Sequence, residues 1–121
     1  MTHRIVPTPT AGDLPPLHEV PPEVAAVLRL PDPRQLIEDQ VRGAVCVWGS
    51  ERLRVATAVD LGEHTDATIG RWWPRACPQC AAEHAHRALF EHAPMCEQCV
   101  DEAGRCEVGR LLYRLIREGR R

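Results

Sequence analysis

The sequence predicts a small α+β domain stabilised by metal, in which a β-hairpin with zinc knuckles is followed by two C-terminal helices. Only 4% of the 121 residues are aromatic, so the hydrophobic core is expected to be thin. Four of the 6 cysteines form two C-x-x-C pairs, and such pairs can bind a metal that replaces part of a core. Strands are predicted over 44–48 and 53–59, on either side of a turn at 49–51.

The cysteines are expected to bind metal rather than to form disulfides. The N-terminus lacks the apolar region of an export signal, and no run of about 18 apolar residues could span a membrane. We therefore expect a cytoplasmic protein, in a compartment where thiols stay reduced. The net charge of −2 excludes a global field that would attract nucleic acid.

The chain is predicted to comprise a tail, a helical segment and a metal-binding domain. Residues 1–22 hold six of the eleven prolines and are expected to form a disordered or loosely docked tail. Residues 23–43 are predicted to form the N-terminal helical segment, and residues 44–121 the zinc-binding domain.

Two short helices are predicted in the N-terminal helical segment. The first opens at Pro22 and stops at Pro31. The second has Asp32 as its N-terminal cap and Gly43 as its stop. The apolar face of the second helix is expected to consist of Leu36, Ile37 and Val41.

The zinc-binding domain is predicted to be mainly helical after its hairpin. Residues 60–70 are a predicted polar loop, and residues 81–92 contain neither Gly nor Pro and are a predicted helix. A last helix is predicted over 101–118, with a weak point at Gly104 or Gly109.

The spacing of the two C-x-x-C pairs, at 77–80 and 96–99, fits the template for one four-cysteine zinc site. The helix predicted over 81–92 argues against it, because twelve helical residues are about 18 Å long. Residues 93–95 extend at most about 10 Å and cannot carry the chain back. Zinc could therefore bind as one ion or two, and we expect two separate sites.

The second pair has a complete local ligand set. Three cysteines and one histidine suffice for a tetrahedral zinc ion. The predicted ligands of this site are His92, Cys96, Cys99 and Cys106. The alternative for His92 is a solvated side chain at a helix end.

The first pair, Cys77 and Cys80, needs ligands from elsewhere in the chain. Cys46 is the predicted third ligand, although a cysteine in a strand can also be a small buried apolar residue. His84 is the preferred fourth ligand because it lies one helical turn after Cys80. The alternatives for this fourth position are His86 and His64.

The stretch Cys46-Val-Trp-Gly49 resembles a zinc-ribbon knuckle in which Gly49 replaces the second cysteine. The resemblance covers residues 46–80. It implies that a knuckle on a β-hairpin meets a second knuckle, formed by Cys77 and Cys80.

The spacing Cys96-x2-Cys99-x6-Cys106, followed by Gly109-Arg-Leu-Leu-Tyr, is similar to the cysteine segment and following helix of the WhiB-like iron–sulfur regulators. That resemblance implies an iron–sulfur cluster with Cys77 or Cys80 as the more distant ligand.

The last predicted helix is amphipathic, and its polar face carries arginines that could neutralise phosphates. The apolar face consists of Val108, Leu111, Leu112, Leu115 and Ile116. The candidate nucleic-acid contacts are Arg110, Arg114, Arg117 and Arg121. The same arginines could instead form a solvated face or contact a protein partner.

Two classes of function follow from these features. The first is a non-enzymatic module with structural zinc that binds a protein or nucleic acid and has no membrane role. The second is an iron–sulfur or thiol-based regulator that senses redox state. A catalytic zinc enzyme would need a pocket near Glu83 or Glu91, and the sequence contains no H-E-x-x-H motif.

Overall fold

The computed structural model describes residues 19–102 and 105–119. The helices are α1 (Pro22–Leu28), α2 (Glu38–Val41), α3 (Pro78–His92), α4 (Glu97–Glu102) and α5 (Glu107–Gly119). The strands are β1 (Val59–Asp60), β2 (His64–Asp66), β3 (Gly70–Trp72) and β4 (Arg75–Ala76). The α+β class is confirmed, and most of the predicted tail lies outside the described residues. No helix in the described part is long and apolar enough to cross a bilayer.

Helices α3 and α5 pack against each other in antiparallel directions and form the centre of the core. α3 contributes small buried residues, which allow the two helix axes to approach closely. At one end of the pair, Gly119 lies so close to Ala82 that a side chain would not fit between them. At the other end, Cys106 lies beside His92. The buried residues of the two helices are Ala81, Ala82, Ala85 and Ala88 from α3, and Gly109, Leu112, Leu115 and Ile116 from α5.

The first predicted helix is confirmed as α1. It begins at Pro22, whose ring suits a first helical position, and it ends before Arg29, which has a positive φ of 57°. Val24 and Leu28 are buried in the same core as α3 and α5. The residues just before α1 are held against β1 by a hydrogen bond in which the N–H of Val20 donates to the Asp60 carbonyl at 2.9 Å.

The second predicted helix is wrong as a continuous element. Asp32 accepts a hydrogen bond from the Arg34 N–H as a cap should, but the chain makes only a short 3₁₀ turn and then extends through Leu36 and Ile37. The break separates the expected apolar face: Leu36 packs against the core, whereas Ile37 is 59% exposed. α2 then begins, and Gly43 ends it with a φ of +83°, as predicted.

The predicted hairpin over 44–59 shrinks to a single bridge between Val45 and Arg52. The N–H of Cys46 donates to the Glu51 carbonyl at 2.9 Å, but the N–H of Val47 donates away from the hairpin, to the Arg75 carbonyl. The predicted long strand pairing is therefore replaced by a tight turn, the knuckle at 46–49. This knuckle forms a backbone hydrogen bond to Arg75 in an adjacent segment of the same chain.

The predicted polar loop over 60–70 is wrong, because this segment contains the longer hairpin, β2–β3. His64 pairs with Trp72 in register. The Asp66 carboxylate accepts from the Thr68 N–H at 2.8 Å, and Gly70 closes the turn with a φ of +84°. Beside it, β1 pairs antiparallel with β4. Short polar strands lack the apolar alternation that marks a strand in sequence.

The helix predicted over 81–92 is confirmed, and α3 begins three residues earlier, at Pro78. The last predicted helix is two helices, α4 and α5. Gly104 lies outside the described residues. Gly109 does not break α5 and is buried within it. The apolar face of α5 is confirmed.

Replacing Gly43 with alanine should destabilise the fold more than replacing Gly70. Both positions have a positive φ, which costs an alanine about 1 kcal/mol. A Cβ at Gly43 would also lie 2.6 Å from the Trp73 carbonyl oxygen, whereas a Cβ at Gly70 meets nothing within 4 Å. Denaturant unfolding at fixed metal content measures the difference, and we expect at least about 1 kcal/mol more loss for Gly43→Ala. Equal losses for the two variants would contradict this packing.

Candidate metal centres

Cysteine and histidine side chains gather in two groups, and within each group all donor atoms lie within 4.8 Å of one another. The C-terminal centre consists of His92, Cys96, Cys99 and Cys106. The N-terminal centre consists of Cys46, Cys77 and Cys80. The two C-x-x-C pairs therefore belong to different centres, at opposite ends of α3. A helix of 15 residues is about 22 Å long, which is why the pairs cannot share an ion.

The donors of the C-terminal centre lie between the end of α3 and the start of α5. His92 is the last residue of α3, Cys96 precedes α4, Cys99 lies within α4, and Cys106 is buried just before α5. The Nε2 of His92 lies 3.3 Å from the Sγ of Cys106, and the Sγ atoms of Cys96 and Cys106 are 3.8 Å apart. A tetrahedron with zinc–sulfur bonds of about 2.3 Å has sulfur–sulfur edges of about 3.8 Å. The donors thus fit a single tetrahedral ion.

Backbone amides and neighbouring thiols set the charge of this centre. The amide of Cys99 is the main cause that lowers the pKa of Cys96. Burial, together with the Cys106 and Cys96 thiols, raises the pKa of Cys99 to about 12. Several thiolates cannot be held this close without a cation, so metal and thiolate formation are coupled.

Gly109 gives α5 its close approach to the C-terminal centre. Its N–H donates to the Sγ of Cys106 at 3.4 Å. A Cβ at this position would lie 3.2 Å from the Sγ of Cys99, which is tighter than an ordinary contact. In the sequence this glycine had indicated only a weak point of the helix.

The N-terminal centre joins the knuckle after α2 to the first turn of α3. Cys77 is the N-terminal cap of α3, and its N–H donates to the Sγ of Cys46 at 3.4 Å. The N–H of Cys80 donates to the Sγ of Cys77, also at 3.4 Å. Cys46 is fully buried, yet its sulfur accepts a hydrogen bond and faces two thiols. Burial is the main cause that raises the pKa of Cys80, and the Cys77 and Cys46 thiols add to it.

Gln40 holds the knuckle in place, a role that no sequence pattern revealed. Its Nε2 donates to the carbonyl of Cys46 at 3.1 Å and to that of Gly49 at 3.0 Å. Its Oε1 accepts from the N–H of Ile37 at 3.0 Å. The break before α2 therefore has a structural consequence, because it places this amide over the knuckle.

The structure does not bring His84, the predicted fourth ligand, into the N-terminal centre. Its ring stacks on Trp48, with 3.9 Å between ring centroids and 13° between planes. Burial lowers the pKa of His84, and the charge of a nearby arginine acts in the same direction. The two alternatives are also elsewhere: His86 contacts a phenylalanine ring, and the Nε2 of His64 lies 2.7 Å from a backbone carbonyl oxygen.

The arginine face of α5 is only partly available for binding. Arg110 and Arg117 are exposed. Arg114 pairs with Glu118 at 3.0 Å, and each side chain is 19% exposed. Arg121 lies outside the described residues.

A groove of about 550 Å³ lies beside the N-terminal centre, between the segment that follows the knuckle, the start of α3 and the end of α5. Its lining includes Glu51, Arg54, Cys77, Gln79 and Glu118. The acids expected beside a catalytic zinc do not line it. Glu91 instead pairs with Arg29 at 2.8 Å.

Comparison of the chain with protein-family models, with curated proteins and with solved structures gives no match in any of the three. Neither the zinc-ribbon nor the WhiB-like resemblance therefore gains support from a relative. The interpretation of the two centres rests on their donor atoms and geometry.

Zinc binding at pH 7 should release close to six protons per chain, one from each cysteine. The raised pKa values of Cys80 and Cys99 keep these thiols protonated until metal arrives. Among the thiols with a shifted pKa, Cys96 is the one whose pKa is lowered, so its contribution to the release should be smaller than those of Cys80 and Cys99. Titration of the metal-free chain with zinc in a weak buffer with a pH indicator measures the release.

The release of protons on metal binding also determines how zinc affinity depends on pH. Because protons compete with zinc for the thiolates, zinc affinity should fall steeply as the pH is lowered. A release of two or fewer protons, or an affinity that does not change with pH, would contradict thiolate ligation by both centres.

Proposed function

We propose that the protein is a non-enzymatic module whose fold depends on structural zinc and which presents a surface to a protein partner in a reducing cytoplasm. The observation that carries the proposal is the C-terminal centre. It combines a histidine and three cysteines, all within 4.8 Å, and each comes from a different point between the end of α3 and the start of α5. Such a donor set is complete for structural zinc.

A structural role is supported by the way α4 is attached. All of its described side chains are exposed or half-buried, so little hydrophobic packing holds it. Val100 is 65% exposed, and Met95 just before the helix is 86% exposed. The described cysteines form no disulfide. Bonds from Cys96 and Cys99 to a metal would therefore be the main link between α4 and the helix pair α3–α5.

The donor spacing favours a single ion over a cluster. In a [4Fe–4S] cluster each ligand sulfur binds a different iron, so the ligand sulfurs stand further apart than those around one ion. A WhiB-like arrangement would also need Cys77 or Cys80 beside the C-terminal cysteines, whereas these residues begin α3 and His92 ends it. The redox-sensing regulator is therefore the less supported alternative.

Exposed apolar side chains near the C-terminal centre support a protein partner. Phe90 is 72% exposed and lies just before His92, and Met95 and Val100 flank Cys96 and Cys99. We take these three exposed side chains as the candidate contacts for a protein partner, since a contiguous apolar patch commonly marks a protein interface. Nucleic acid is a second candidate, favoured by the exposure of Arg110 and Arg117 but not by the net charge.

The substitution Cys96→Ser or Cys99→Ser should remove the metal of the C-terminal centre and release α4. The expected result is loss of amide-exchange protection in α4 and loss of cooperative melting of the C-terminal half, because the apolar packing of α4 is slight. Zinc content and amide exchange measure both effects. Gln98→Ser, an exposed position between the two ligands, is the matched control and should change neither. A serine variant that lost the metal but kept a protected α4 would contradict the structural role.

The nucleic-acid candidate makes a separate prediction. Binding of a random duplex at low salt should weaken in Arg110→Gln and Arg117→Gln, whose side chains are exposed. Binding should change little in Arg114→Gln, because that arginine is paired with Glu118. Fluorescence anisotropy over a range of salt concentrations measures this. No binding at low salt would leave the protein partner as the supported class.

A further inference from the structure

We propose that the N-terminal centre takes its fourth ligand from outside the chain, as a thiolate that binds at a corner beside Gly49. The inference rests on the proposed function, because a metal must first occupy the three-thiolate centre. It goes beyond that function, since it makes one of the two centres a ligand-binding site.

The two centres differ in the number of donors that the described residues supply. The C-terminal centre has four, whereas the N-terminal centre has three sulfurs. Within residues 19–102 and 105–119, no further Cys, His, Asp or Glu side chain joins those three sulfurs. Zinc in proteins is almost always four-coordinate, and sites with three protein ligands keep an open position for an external ligand.

The open coordination position can be located by comparing the two knuckles, which have the same residue spacing. Cys46-Val-Trp-Gly49 has the same spacing as Cys77-Pro-Gln-Cys80, but its second position carries no side chain. A Cβ at Gly49 would lie 3.8 Å from the Sγ of Cys46 and 3.8 Å from the Sγ of Cys80, an ordinary contact distance. Position 49 therefore faces two of the three sulfurs and leaves space where a fourth sulfur could bind.

The corner lies on the accessible side of the centre. Cys46 and Cys77 are buried, whereas Cys80 and Gly49 are half-buried and Ser50 is exposed. The indole Nε1 of Trp48, next to Gly49 in the chain, is buried without a hydrogen-bond partner within the described residues. Buried donors of this kind are rare unless water or a ligand completes them.

A thiolate is the ligand class that best matches this corner. Three thiolates form a soft site, and soft sites favour metals that prefer a further soft donor. With a metal bound, an external thiol would replace the water at the fourth position: the S–H bond would break, a metal–sulfur bond would form, and the water and the proton would pass to solvent. The thiol can come from a small molecule or from a cysteine of another protein, and the chemistry is the same.

Cobalt spectroscopy of the full chain tests the proposal. The metal-free protein is loaded with two equivalents of Co²⁺ without oxygen, and the sulfur-to-cobalt charge-transfer absorption is followed as thiol is added. 2-Mercaptoethanol is the first probe, and a blocked Gly-Cys-Gly peptide is the second. Binding of both shows that the corner admits a protein cysteine, and binding of mercaptoethanol alone assigns it to small thiols.

The wild-type chain should gain about one-sixth in charge-transfer intensity, as six metal–sulfur bonds become seven. Gly49→Cys, which supplies a seventh thiol at the corner, should start at the higher intensity and not respond to added thiol. Gly49→Ala, which adds a Cβ but no donor, is the matched control and should start at the wild-type intensity.

Each other outcome has a defined meaning. A wild-type chain with both centres loaded that does not respond to thiol overturns the inference, because the fourth position is then held by water or by a ligand from the chain and not by an external thiolate. Loading of the C-terminal centre alone overturns it as well and leaves the proposed function standing. Failure of both centres to bind metal contradicts the proposed function itself.

Discussion

The length of α3 is the constraint on which the rest of the structure depends. Cys77 caps the helix and Cys80 lies in its first turn, whereas His92 is the last of its 15 residues. A rigid helix of this length, about 22 Å, holds the two groups of donors at its opposite ends. Because the buried side chains of α3 are small, α5 packs closely alongside it in the opposite direction. Cys106, just before α5, therefore lies beside His92 at the end of α3. The packing of the two helices thus closes the C-terminal centre, because it brings Cys106 back beside His92.

The two ends of α3 differ in what holds them together. At the N-terminal end, the knuckle is fixed by the hydrophobic core and by the amide of Gln40, so its geometry does not depend on metal alone. At the C-terminal end, the side chains of α4 are exposed or half-buried, so little apolar packing holds this helix. On the proposed function, a metal at the C-terminal centre would stabilise the fold, whereas a metal at the N-terminal centre would occupy a site already shaped by packing. The N-terminal centre can therefore keep an open coordination position beside Gly49, because the fold does not depend on a fourth metal–ligand bond there.

Features with strong local patterns could be predicted from the sequence. The helix over 81–92 lacks Gly and Pro, and its length alone separated the two C-x-x-C pairs correctly. The hairpin was placed wrongly, because the residues around Cys46 resemble a strand while their backbone groups bond to Arg75 and Gln40. Those partners are far away or unremarkable in the sequence. His84 has suitable spacing from Cys80, but its ring stacks on Trp48, a contact set by tertiary packing.

The most direct test of the central claim is the metal content of the full chain, purified without oxygen, together with its absorption spectrum. Two separate mononuclear centres predict two zinc ions per chain and no visible absorption. In Cys96→Ser and Cys77→Ser, one ion should be lost in each variant and the other kept. One ion per chain that both substitutions remove, or iron with visible absorption, would contradict the account.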